Sequence, residues 1–210
     1  MKTESGTGCV TSVYGRRVVI NTSDGQTLDC TTASRKLSPL CGDQVVWQAL
    51  DNNETAVTEI LERRNTLLRH DARLGQRPLA ANLDLILVVS ALQPDPSPEL
   101  IDRYLVAAEV LDIPACLILN KIDTSSGNAE KHKLQEYLTI GYDVHTVSAK
   151  KAVNLDALQS LLADKTSVLV GQSGVGKSSL IAAMCPGYEP RTQTLSESSG
   201  EGRHTTDTVL

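Results

Sequence analysis

At 210 residues, 40% hydrophobic and 21% charged, the chain has the composition of an ordinary globular protein with room for one or two domains and a sizeable core. A net charge of −5 argues against nucleic-acid binding over the whole surface. The polar start resembles no signal peptide, and the longest apolar run, residues 85–89, is far too short to span a bilayer. A cytoplasmic protein without a membrane partner is therefore expected.

Residues 9–60 read as short strands separated by turn signals. Candidates are 9–14, then 18–21 ahead of the Asp24-Gly25 turn, 28–32, 44–47 behind Gly42-Asp43, and 56–61. Five short strands in about fifty residues suggest a small closed barrel, most commonly an OB-fold, with an SH3-like barrel as the alternative. The chain has one Trp and no Phe. If this barrel touches RNA, backbone and shape contacts are expected rather than base stacking.

Residues 63–77 hold Arg63, Arg64, Arg69, Arg73 and Arg77 against Asp71. This basic stretch reads as a linker over 63–79, either a solvated connector or a phosphate contact. The expected division is thus 1–62 barrel, 63–79 linker and 80–210 nucleotide-type domain.

From Ala80 the period changes. Residues 85–89 read as a buried strand. Ser97 can cap a helix that has Pro98 at its first position, with Leu100, Ile101, Tyr104, Leu105, Ala108 and Leu111 on one face. A strand at 115–119, a helix near 129–140 and a strand at 143–147 follow. Asn154 can cap a helix carrying Leu155, Leu158, Leu161 and Leu162, and a strand at 166–170 leads into a helix from Ser178 to Met184. Repeated β-α units of this length mean a parallel sheet with helices on both faces. Five scattered cysteines form no CxxC pair and read as reduced thiols.

Three motifs carry the chemistry, and their order is unusual. Asn120-Lys121-Ile122-Asp123 comes first, Ser148-Ala149-Lys150 second, and Gly171-Gln172-Ser173-Gly174-Val175-Gly176-Lys177-Ser178 last. Chance occurrence of the first and last in one chain is roughly one in several thousand. Each also follows a strand, as ligand loops of open α/β sheets must. Gly174 and Gly176 let successive amides face a polyphosphate. Lys177 should reach the β- and γ-phosphates, Ser178 should ligate Mg²⁺, and Ser179, the last residue of the binding stretch, should pack or cap. Asp123 is the natural acceptor for the N1–H and N2–H₂ donors of guanine. Asn120 should bond the base edge and brace the phosphate loop, the Lys121 stem should lie along the base, and amides near Ala149 should meet the guanine O6.

In ordinary GTPases the phosphate loop leads. The reversed order, together with the barrel and Gly202-Arg203-His204-Thr205-Thr206, resembles the circularly permuted small-ribosomal-subunit biogenesis GTPases of bacteria and chloroplasts. The resemblance implies an α/β fold: a circularly permuted P-loop GTPase domain with a parallel sheet, preceded by a five-stranded OB-fold barrel. It implies binding of GTP and GDP with Mg²⁺, GTP hydrolysis stimulated by the small subunit and its 16S rRNA, and a monomer acting in late maturation. An RNA-binding adaptor in which nucleotide is only structural is the alternative. By the same resemblance Thr205 (or Thr206) would sense Mg²⁺ and the γ-phosphate, and His204, with Lys177, would be catalytic. The family's Asp-x-x-Gly segment and zinc domain would lie beyond Leu210. Weak nucleotide binding and little turnover are expected of the 210 residues alone.

Overall fold

A computed structural model describes residues 4–50, 54–71, 75–124 and 134–185. The chain divides into two compact units between Leu83 and Asp84.

The first unit holds a closed five-stranded barrel. Its strands are β1 (Ser5–Tyr14), β2 (Arg17–Thr22), β3 (Thr27–Thr32), β4 (Gln44–Ala49) and β5 (Thr55–Ile60). They run in the order β1-β2-β3-β5-β4, and β4 pairs back onto β1. The β3–β5 pairing is parallel and the others antiparallel. Closure removes the exposed edges that make open sheets prone to unwanted pairing. Alternation along the strands sends Val10, Val18, Ile20, Cys30, Val45, Trp47 and Val57 into one core. Trp47 is a core residue, packed beneath Gly6, where a Cβ would come within 3.2 Å of its indole nitrogen.

The arginine stretch is not the connector that its composition suggests. It folds as a hairpin of β6 (Thr66–Asp71) and β7 (Gly75–Ala81), with a bulge between Leu67 and Leu68. Leu67 sits opposite Ala80, and both are fully buried. The base of the hairpin is fastened to the barrel. Arg63 forms a two-pronged ion pair with Asp43, at 2.7 and 2.8 Å, and Asp43 is 0% exposed. The Leu40 amide completes that carboxylate's shell at 2.7 Å. Asn82 accepts from the Arg64 amide and donates to the Gly42 carbonyl, while Asn65 exchanges two hydrogen bonds with the Leu83 backbone. Two of the five arginines are thus structural. A buried carboxylate stripped of its partner would cost about 3–5 kcal/mol.

The second unit is a four-stranded parallel sheet in the order β10-β9-β8-β11, from β8 (Leu85–Ala91), β9 (Ala115–Asn120), β10 (Val144–Thr146) and β11 (Ser167–Gly171). Every residue of β8 is buried, as a strand covered on both faces requires. Helices α1 (Pro98–Val110), α2 (Gln135–Thr139), α3 (Leu155–Leu162) and α4 (Lys177–Met184) connect or follow the strands. Pro98 opens α1 as expected, but Ser97 contributes its carbonyl, to the Leu100 and Ile101 amides, and no side-chain cap. Asn154 likewise caps nothing. It takes a left-handed conformation at φ 59°, and its amide donates to the Thr146 carbonyl at 2.8 Å. The helix expected over 129–140 is seen as Gln135–Thr139, its first part lying outside the described residues. No helix among the described residues is long and apolar enough to cross a membrane.

Candidate nucleotide-binding site

The sheet delivers all three motifs to one edge. β9 ends at Asn120, β11 ends at Gly171, and β10 leads through Val147 to Ser148. In parallel α/β sheets this carboxyl edge is where ligands bind.

Asn120 joins the three loops. It is 1% exposed, its Nδ2 donates to the Val175 carbonyl at 2.9 Å, and its Oδ1 accepts from the Ala149 amide at 3.2 Å. Lys121, in the left-handed region at φ 65°, directs its Nζ to the carbonyls of Gly174 at 2.6 Å and Gln93 at 2.9 Å. Ile122 continues from it into a short 3₁₀ turn. In that turn the exposed Asp123 carboxylate accepts from the buried Ser148 hydroxyl at 2.5 Å. That hydrogen bond, with lesser help from the Lys150 and Lys151 charges, holds the Asp123 carboxyl below the usual carboxylate range. Ser148 is itself fixed by the Lys151 amide and by a bridge to Val153.

The glycine-rich loop is shaped by two close approaches. A Cβ on Gly171 would sit 2.1 Å from the Val89 carbonyl oxygen, and one on Gly176 would sit 2.4 Å from the Asn120 Nδ2. Both glycines have positive φ, 139° and 94°. Val175 is buried in the core and anchors the loop, whereas Ser173 and Gly174 stay exposed. Lys177 opens α4 and donates from Nζ to the carbonyls of Gly171 at 2.9 Å and Gln172 at 2.8 Å. Burial lowers its ammonium pKa, so the site gains from a neighbouring anion. Ser178 and Ser179 are exposed on the first turn of α4.

The structure thus brings together Asn120, Asp123, Ser148, Ala149 and the loop 171–177. Sequence reasoning missed Gln93, whose contribution is a main-chain carbonyl and leaves no side-chain signal. It also missed the Val89 carbonyl, although an obligatory glycine at 171 hints at such an approach. His204 and Thr205 lie outside the described residues. Among the described residues no group of His, Cys, Asp and Glu is placed to hold a metal ion. Among them, Cys30, Cys41 and Cys116 are buried thiols, and burial pushes Cys41 up to about 12.

A five-stranded barrel followed by a parallel sheet with base-type and phosphate-type loops in reversed order defines a circularly permuted GTPase fold. Two solved structures are similar. YjeQ from Thermotoga maritima matches with a TM-score of 0.70 and 27% identity, covering 90% of this chain and 68% of that one. YloQ, described as a circularly permuted GTPase, matches with a TM-score of 0.62 and 31% identity, covering 85% and 63%. The family model for RsgA GTPase matches residues 60–210. The small ribosomal subunit biogenesis GTPase RsgA of Pseudomonas aeruginosa (strain LESB58) is 42% identical over 206 residues, 97% of this chain. That of Histophilus somni (strain 2336) is 39% identical over 95% of the chain. The chain belongs to the RsgA GTPase family. It spans 61% and 59% of the length of these two relatives.

Proposed function

We propose that this site binds GTP and GDP with Mg²⁺, that the protein hydrolyses GTP, and that it acts in maturation of the small ribosomal subunit. The observation that carries the nucleotide reading is the double engagement of Asn120, which ties the base-type loop to both other loops through one buried side chain. Asp123 then serves as the guanine acceptor, kept ionised and aimed by Ser148. Adenine offers no matching donor pair. The amides of Gly174 to Lys177 face the phosphates, the Lys177 ammonium exchanges its two carbonyl partners for the β- and γ-phosphates, and the exposed Ser178 hydroxyl is the protein's ligand to Mg²⁺. Mg²⁺, when bound, neutralises charge developing on the phosphates. Lys150 and Ile122 border the base. Thr205 and His204 are assigned to sensing the γ-phosphate and to water activation by family resemblance.

Support for the ribosomal partner comes from the relatives' name and from the basic hairpin, which sets Arg69 directly opposite Arg77. Phosphate groups of 16S rRNA are the matching anions. We place the protein in the cytoplasm as a monomer on the same reading.

Competition binding tests the nucleotide assignment. GTP should displace a labelled guanine nucleotide far better than ATP, and Asp123→Asn should move preference toward xanthine nucleotides. Equal competition by ATP, or unchanged GTP affinity in the variant, would overturn it. Hydrolysis measured with and without purified small subunits tests the partner. Subunit binding that ignores nucleotide would favour the adaptor reading.

A further inference from the structure

Helix α1 buries Ile101, Leu105 and Ala108, yet its solvent side carries Val106 and Val110, 61% and 79% exposed. Four residues apart, the two valines are neighbours on the helix surface. Leu138 and Ile140 add two more exposed apolar side chains, the latter 69% exposed. That segment is fastened alongside α1 at both ends. The Tyr137 hydroxyl donates to Asp102 at 2.8 Å, and the Tyr142 hydroxyl donates to Glu109 at 2.8 Å. Asp102 and Glu109 are two turns apart, so residues 138–140 lie between two tethers, beside the stretch that bears Val106. Four of the eight large exposed hydrophobics among the described residues fall on this one face. Scattered exposed apolar residues need no explanation, but a contiguous group marks a contact surface.

The charge around the group is predominantly negative, with Arg103 as the one cation in the two stretches. Residues 98–112 hold Glu99, Asp102, Glu109 and Asp112 against Arg103, and residues 134–143 hold Glu136 and Asp143 with no Lys or Arg. These two short stretches carry −5, the formal net charge of the entire chain. A second copy would set two such faces together, and a nucleic acid would add more negative charge; both are repelled. We infer that the α1–α2 face is a docking surface for a cationic polypeptide segment with aliphatic anchors, of the basic amphipathic helix type. Its aliphatic side chains lie on the valine strip and its lysines or arginines face the carboxylate rim. The inference is independent of the nucleotide site.

The test uses the full chain and a synthetic leucine–lysine amphipathic helix of about five turns. Calorimetry should show one peptide bound per chain, with affinity falling as salt rises. Methyl chemical shifts should move on α1 and α2 alone. Replacing Val106→Ser together with Val110→Ser should weaken binding about tenfold. The pair Asp102→Asn and Glu109→Gln, whose amide oxygens still accept from the tyrosines, should flatten the salt dependence. A leucine–glutamate peptide of the same length should not bind. Unchanged affinity in the double valine variant overturns the proposal, as do shifts spread over the whole acidic surface. So does a dimer dispersed by the valine substitutions, or methyl NOEs showing Val106 and Val110 already covered by the protein's own chain. Ile140→Ser gives a second reading of the apolar term should the valine pair compromise folding.

Discussion

The barrel unit and the nucleotide unit treat buried polar groups in opposite ways. In the first, Asp43 is saturated by Arg63 and the Leu40 amide, and Asn65 and Asn82 close their amides onto local backbone. These three side chains have their partners within the unit itself. In the second, Asn120 is satisfied only because two other loops come to it, and Lys177 rests on two carbonyls that compete poorly with a phosphate. One unit is stabilised by closing its polar shell. The other keeps its polar groups poised and holds the loops by tight contact at glycine. The difference separates a scaffold from a site by chemistry rather than by position in the fold.

The single tryptophan makes the comparison measurable, because Trp47 lies in the barrel core and its fluorescence reports that unit alone. The largest effect is expected from Gly171→Ala. The new methyl would overlap the Val89 carbonyl at a positive φ, so about 3 kcal/mol or more of stability should be lost. Guanine-nucleotide binding should vanish while the Trp47 transition stays in place; a shifted Trp47 midpoint would show that the units do not fold separately. Arg63→Ala is the reverse case. It should lower the Trp47 denaturation midpoint by about 3–5 kcal/mol in free energy and leave nucleotide affinity unchanged under native conditions. Asn120→Ala removes two loop contacts and, on the proposed reading, the base-edge contact, and should weaken GTP binding about a hundredfold, cost the second unit about 1–3 kcal/mol and leave the Trp47 transition in place. A loss below about fivefold would mean that the loops converge without it.

Ser148→Ala should be the mildest. Asp123 has a lowered folded pKa, so its stabilising hydrogen bond is present above the ordinary carboxylate range and is lost as pH falls through the depressed value. Without the hydroxyl, the Asp123 carboxyl should titrate at higher pH, and GTP affinity should begin to fall at a higher pH on acidification. Carboxyl-carbon NMR titration reads this directly. An unmoved Asp123 midpoint would mean that Lys150 and Lys151 set it instead.

Much of this could be read from the chain alone. The five barrel strands, the buried strand at 85–89 and the reversed motif order all followed from period-2 alternation, apolar runs and fixed spacings. The hairpin did not, because five arginines masked the Leu67–Ala80 pairing, and nothing local reveals that Arg63 would find a buried carboxylate twenty residues back. Ser97 and Asn154 had the right residue type for caps, but the backbone at Asn154 entered the left-handed region and its amide served the Thr146 carbonyl. The convergence of the three motif loops was legible, whereas the carbonyls of Gln93, Val89 and Val175 were not, since a main-chain acceptor has no letter of its own.

The placement of β11 has a consequence for biosynthesis. Among the described strands it occupies the border of the sheet beside β8, although it is made last. During translation β8, β9 and β10 emerge first and can already associate, with one side of β8 unpaired until residues 167–171 leave the tunnel. The nascent polypeptide therefore displays an apolar, unzipped flank for the time needed to make about eighty residues, and the glycine-rich loop can join the other two loops only after β11 has been added.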